Sequence, residues 1–350
     1  MSETAPEADE VARELLETLV SIPSPTPEEE ECAEALADFF REHDREVYID
    51  DVGNVRAPAD DSVLYTSHID TVPGDIPVRV EQGDEGPELW GRGSVDAKGP
   101  LTALAVAAVR TGVSFVGVVG EEVNSRGARH LIEDREAPEA VVNGEPSGWD
   151  GITLGYRGIL QGTYVATSES GHTSRPENNA IQDAIAWWSA VEAKFGGDGY
   201  DAVFERVTPK PVSIEGGVSE DGLAVEATLD AQLRVPPEYS TDEVREMADA
   251  ELSGSGTVNW KDSVEPTMQS PRTDVGRAFR MAIRGQGGDP RLLRKTGTAD
   301  MNIFAGAWDC PMATYGPGDS DLDHAPDEHL ELRELDRAVA VLERVAEELQ

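Results

Sequence analysis

The hydrophobic positions fall into three textures along the chain. The first is helical. Val11, Leu15, Leu16 and Leu19 recur at the three- and four-residue spacing that lines one helix face, and Ala33, Leu36, Ala37 and Phe40 repeat it. Thr26-Pro27-Glu28-Glu29 reads as the start of that second helix, with a hydroxyl cap, a proline at the first helical position and an acid three residues on. From Val63 the texture becomes strand, helix, strand. Val63–Thr66 is a short apolar run, and 99–110 (GPLTALAVAAVR) has an apolar helical face. Residues 113–120 (VSFVGVVG) are apolar on both sides, as a strand covered on two faces must be, and Ala140–Asn143 is another such run. This alternation predicts an α/β fold with a mostly parallel sheet covered by helices.

Around Gly158 the third texture begins, with strict apolar–polar alternation. Leu160–Thr167 and Leu223–Val235 predict half-buried strands; a helix over Ala180–Phe195 carries Trp187 and Trp188, and another covers about Thr241–Leu252. Two helices among alternating strands predict a small α+β sandwich inserted into the larger domain. After about Pro266 helix and strand alternate again, ending in a helix over Leu332–Leu349. The predicted organisation is 1–157 and 266–350 for the larger domain and 158–265 for the insert. A chain of 350 residues exceeds what one core commonly serves, which fits two domains.

Composition narrows the classes. No run of eighteen apolar residues occurs, so no membrane-spanning helix is expected. The opening residues are acidic where a secretion signal would be basic and then apolar, and there are only two cysteines. Both point to a cytoplasmic protein without a disulfide framework. Charge changes the picture most: net −40, with only five lysines. Acid spread through a folded chain reads as adaptation to high salt, a halophilic trait, because screening there is short-ranged. So negative a chain argues against nucleic acid as a partner.

The candidate chemistry sits where apolar strands end. His68 and Asp70 follow the run Val63–Thr66, although the chain has only six histidines. Asp96 precedes a helix, Glu121-Glu122 closes VSFVGVVG, and Glu145 closes the strand Ala140–Asn143. In a doubly wound sheet the binding crevice lies outside the carboxyl ends of the strands. Downstream, His324 lies in a polar loop before the last helix. Two imidazoles and three carboxylates suffice for two divalent cations sharing one carboxylate, and that mixture suits zinc. Asp70 would then orient the far nitrogen of His68. Adjacent Glu121 and Glu122 cannot point the same way, so one can bind metal while Glu121 serves as general base.

These segments, in this order, resemble the dinuclear-zinc aminoacylase and carboxypeptidase family. That family includes acetylornithine deacetylase and succinyl-diaminopimelate desuccinylase. The similarity rests on "SHIDTVPG", "GRGSVDAKG", "GEEVNSRGA", "GEPS", "SGHTSRPENNAI", "TGTADMNIF" and "DHAPDEH", which span nearly the whole chain. The resemblance implies a zinc-exopeptidase-like catalytic domain with an inserted ferredoxin-like lid and dimerisation domain. It implies that His68, Asp96 and Glu145 hold one zinc and that Asp96, Glu122 and His324 hold the other, with cobalt able to substitute. It also implies a homodimer in which His172, after Gly171, reaches the oxyanion across the dimer. Arg234 would clamp a substrate carboxylate, and Lys295, Gly297 and Thr298 would line the substrate end of the crevice.

Within the family, "LGYRG", "KTGTADMN" and the short chain are similar to the hydrolases that release lysine or ornithine from an acidic amino-group carrier protein. A small-molecule deacylase and a non-catalytic metal-binding relative are the alternatives. An acidic carrier would be repelled by a chain at −40. The segment Pro271–Lys295 breaks that pattern, with seven basic residues against two acidic ones; it either docks the carrier or pairs its arginines with acids of neighbouring helices.

Overall fold

The structure, a computed structural model, describes residues 8–172, 174, 176–196, 203–254 and 256–350. It divides into two compact units. The first comprises Met1–Leu154, Gln269–Leu293 and Ala299–Gln350; the second comprises Gly155–Met268 and Arg294–Thr298.

The first unit is built on a twisted sheet whose centre is parallel. Strand Asp60–His68 lies between Val113–Val118 and Val141–Gly144, parallel to both, and Met312–Thr314 extends the parallel set beside Val141–Gly144. Antiparallel strands flank it, with Val55–Ala57 against Val113–Val118 on one side and Gly151–Tyr156 against Met312–Thr314 on the other. All six residues of Val113–Val118 are buried, which is why that run shows no polar alternation. Helix Lys98–Thr111 is buried from Lys98 to Ala108 because it packs between the sheet, helix Glu10–Val20 and the long helix Leu332–Leu349. Its alanines allow that close approach, and Gly112, at φ 77°, ends it in the left-handed conformation that glycine adopts without strain. Two buried polar groups fasten the layers. The Tyr65 hydroxyl donates to Leu342 O at 2.6 Å, and Lys98 Nζ donates to Leu19 O and Ile22 O at the end of the first helix. A small sheet of Arg79–Gln82, Pro87–Trp90 and His329–Glu331 adjoins them in the same unit.

The second unit is an antiparallel sheet of four strands in the order Thr208–Val218, Ala224–Val235, Gly158–Glu169, Thr257–Trp260. Helices Ala180–Phe195 and Thr241–Asp249 supply its core, where Trp187 stacks on Tyr164 at 4.9 Å. Asn179 and Ser240 begin these helices with full capping boxes. The α/β expectation with a smaller inserted α+β body holds. No helix among the described residues is long and apolar enough to cross a membrane.

One local expectation fails. Thr26 does not cap the second helix, which runs Glu30–Glu42 behind Glu29 and has no side-chain cap. The Thr26 hydroxyl is drawn elsewhere, to Asp70 Oδ2 at 2.6 Å.

Candidate metal centre

Parallel neighbours end at the same sheet edge, so their exit loops converge. His68 is the last residue of the middle strand, Glu145 directly follows Val141–Gly144, and Glu121-Glu122 follows Val113–Val118 after a two-residue turn. Asp96 comes from the loop before helix Lys98–Thr111, and His324 from the turn before strand His329–Glu331. His68 Nε2 lies 3.1 Å from Asp96 Oδ1 and 4.0 Å from Glu145 Oε2. His324 Nε2 lies 3.2 Å from Asp96 Oδ2 and 3.1 Å from Glu122 Oε2. The result is two triads, His68–Asp96–Glu145 and Asp96–Glu122–His324, with ligand atoms within 4.8 Å of one another in each. Asp96 belongs to both and turns one oxygen to each imidazole.

The donor set fits two divalent cations. Three carboxylates converge, and Glu122 Oε1 is buried with no hydrogen-bond partner, a position a cation satisfies and water does not reach. Burial, with Asp96 and Asp70 adding repulsion, pushes Glu122 up to about 7 against the pull of the two imidazoles. Burial also resists ionisation of Asp96, yet His324 and His68 hold it well below the usual carboxylate range. His324 is raised to about 9, chiefly by Asp96 and then by Glu122, with partial burial opposing. Nitrogen and carboxylate donors at this ratio suit a borderline ion such as zinc.

Around the triads, backbone geometry fixes the imidazole. His68 Nδ1 is 2.9 Å from the backbone oxygen of Asp70, so Nδ1 carries the proton and Nε2 presents its lone pair to the site. The Asp70 carboxylate, expected at that nitrogen, faces it from farther away, with Oδ1 at 3.6 Å. The carboxylate is engaged otherwise: Oδ1 accepts from Glu121 N and Oδ2 from Glu122 N, both at 3.1 Å, in addition to Thr26. Burial opposes its ionisation, but His68, the Thr26 hydroxyl and the Glu122 N–H together hold it at about 2. Asp70 thus sets the path of the glutamate pair as well as the ring.

Glu121 stays outside both triads. Its pKa is pushed well above the ordinary glutamate value by burial, with Glu145, Asp300 and Glu122 adding to it and His68 opposing. Asp300, 1% exposed and raised to about 6 mainly by burial, is a member of this acidic environment that the strand-end pattern does not reveal, because it opens a helix instead.

The remaining candidates lie in the second unit. His172 is exposed; its Nδ1 is 2.8 Å from Ser174 Oγ and accepts from Ser174 N at 3.3 Å. Arg234, half-buried on strand Ala224–Val235, has Nη1 3.5 Å from Thr298 Oγ1, so these two predicted residues meet. Arg157, which sequence reasoning passed over, lies beside them and donates to Thr296 O, Val203 O and Thr208 Oγ1. Burial, then the charges of Arg234 and Arg206, bring it down to about 10. Lys295 and Gly297 belong to the same short segment as Thr298. The basic run Pro271–Lys295 is largely occupied. Arg277 pairs with Asp274, Arg291 with Asp150 and Arg294 with Glu205, while Arg280 donates to Pro271 O.

The chain as a whole has counterparts among known proteins. The model of peptidase family M20/M25/M40 matches residues 64–348. The chain belongs to this family. Among its M20 relatives, the [LysW]-lysine hydrolase of Deinococcus radiodurans is 40% identical over 351 residues, covering 95% of each chain. The [LysW]-lysine/[LysW]-ornithine hydrolase of Sulfurisphaera tokodaii is 29% identical, covering 96% of this chain and 95% of its own. The solved M20 family metallo-carboxypeptidase Sso-CP2 from Sulfolobus solfataricus shares the fold. Its TM-score is 0.75 at 18% identity, over 97% of this chain and 99% of its own.

Proposed function

We propose that this M20 hydrolase is a two-metal amidase that frees lysine or ornithine from the carrier LysW. The observation that carries the reading is the pair of triads sharing Asp96, with the Glu121 carboxyl group beside them and outside both. The 40% identity to a [LysW]-lysine hydrolase supplies the substrate class.

His68, Asp96 and Glu145 would hold one cation and Asp96, Glu122 and His324 the other, as zinc with cobalt able to replace it. The bound pair supplies Lewis-acid polarisation of the amide carbonyl and lowers the pKa of water at the site. Glu121 takes the proton of the attacking water and returns it to the departing α-amine, so the nitrogen leaves as a neutral amine. Asp70 keeps the Glu121 backbone in place for both transfers. With His172 Nδ1 engaged by Ser174, His172 Nε2 would be the nitrogen that donates, across the dimer, to the oxygen that becomes negative. Arg234 Nη1 makes a long contact with the Thr298 hydroxyl, which suits a guanidinium that would take up a substrate carboxylate. Lys295, Gly297 and Thr298 complete that region.

We assign the second unit the role of lid and dimerisation domain, and the protein to a homodimer in the cytoplasm. Strand Thr208–Val218 supports the dimer: it is an edge strand of eleven residues and exposes Val212, Ile214 and Val218. A small-molecule deacylase would use the same centre, so substrate choice decides between the two. The test compares release of lysine or ornithine from the LysW conjugate with release of ornithine from acetylornithine, with metal content measured on the same sample. Carrier conjugate as the better substrate by at least ~100-fold in kcat/KM supports the reading; preference for acetylornithine rejects it. As a control, Glu121→Gln should lose about 100-fold or more in kcat while keeping its metal. Turnover retained in this variant removes Glu121 from the mechanism.

A further inference from the structure

Glu328 is fully buried, a rare state for a glutamate. Its carboxylate accepts four hydrogen bonds. Oε1 takes the backbone N–H groups of Val95 at 2.9 Å and Asp96 at 3.0 Å. Oε2 takes Arg92 Nη1 at 2.7 Å and Gly93 N at 3.1 Å. Every donor lies in the loop that carries Asp96. Glu328 itself lies four residues after His324, at the foot of the loop that presents that imidazole. Its backbone oxygen also accepts from Gly91 N, at the start of the Asp96 loop.

We infer that Glu328 is a positioning residue of the metal centre, a carboxylate clamp joining the loop of the bridging Asp96 to the loop of His324. This rests on the two-metal reading above. The two imidazoles need this clamp unequally. His68 is buried at the end of a central strand and is held by Asp70 O. The His324 side chain is 53% exposed, and its backbone sits at φ 61°, which a non-glycine residue keeps only when its surroundings hold it. Its loop is joined to the Asp96 loop through Glu328. Loosening the clamp therefore disturbs the Asp96–Glu122–His324 triad more than the His68–Asp96–Glu145 triad. The charge matters as well as the shape: replacing one oxygen by an amide nitrogen would set N–H against N–H on that side.

The test is zinc titration of the metal-free full chain against a competing chelator, for wild type and Glu328→Gln. Wild type is expected to take two equivalents. The variant should take the first with little change and the second about 10–100-fold more weakly, the usual cost of removing a group that orients a ligand. Arg92→Met, which removes one donor and leaves the backbone ones, should show the same bias in smaller measure and carries the test if Glu328→Gln does not fold. Thermal unfolding of the metal-free proteins separates this role from a purely structural one. A lowered midpoint with both zinc affinities unchanged, or weakened equally, overturns the inference. Failure of wild type to bind two equivalents overturns the two-metal reading instead.

Discussion

Asp70, Glu122 and His324 show how burial and proximity act in opposite senses within one site. Asp70 is held at about 2, so its contribution to stability is present above its unfolded value near 3.9 and is lost as pH falls through 2. His324 goes the other way. Raised to about 9 in the metal-free protein, it favours the folded state fully below its unfolded value near 6.5, and that gain is lost as pH rises through 9. Glu122 adds to the same trend. Its rise to about 7 means that the folded chain resists an ionisation that the unfolded chain makes freely above about 4.3. The metal-free protein should therefore unfold at progressively lower temperature as pH rises from about 6 to about 9.5. With cation bound, the same groups are already deprotonated and compensated, so the slope should flatten. Calorimetry with and without chelator at matched ionic strength checks this. A metal-free midpoint that stays level over that interval would mean that the donors do not interact as their distances imply.

At the scale of elements, what the pattern revealed depended on how the element is covered. Strand Val113–Val118 and helices Ala180–Phe195 and Leu332–Leu349 were legible because burial on both faces or on one stripe leaves a direct hydrophobic record. The ligand-bearing strand ends were legible for the same reason: an apolar run that stops at His68 or just before Glu145 contrasts with its own interior. Glu328 had no such contrast, since in a chain with 69 acidic residues one more carboxylate carries no signal until its partners are seen. Thr26 had a persuasive local pattern that a long-range partner, Asp70, overrode. Strand Thr208–Val218 escaped notice because Pro209, Pro211, Gly216 and Gly217 read as breakers, and its apolar side chains are exposed rather than buried. Those prolines are compatible with an edge strand, where a missing N–H costs no ladder bond on the open side. An open edge carrying Val212, Ile214 and Val218 is a surface that a second copy can extend. Ile214→Lys, at a position 54% exposed, should leave the monomer folded and shift sedimentation from dimer to monomer at micromolar concentration. Unchanged sedimentation would place any self-association elsewhere.

At the scale of the whole molecule, 29 basic residues face 69 acidic ones, and the structure spends its cations carefully. Arg56 serves both Asp50 and Asp134, Arg110 serves Asp9 and Glu343, and Arg13 meets the buried Asp336. Arginine suits this double duty because its planar fork reaches two carboxylates at once, which is consistent with there being only five lysines. The acids left over repel one another through solvent. In dilute buffer near 0.01 M that repulsion extends about 30 Å, whereas at 1 M it fades within about 3 Å. Screening should therefore raise the unfolding midpoint, and about 2 kcal/mol of relieved repulsion corresponds to roughly 4–8 °C for domains of this size. The effect should be larger in metal-free protein, where the three converging carboxylates add to the local excess. Scans from 0.01 to 1 M KCl test this, with sucrose as a control that is excluded from the protein surface and stabilises without screening charge. If the midpoint does not move with KCl, or moves no more than with sucrose, the surplus charge does not strain the native state and the halophilic reading of the composition fails.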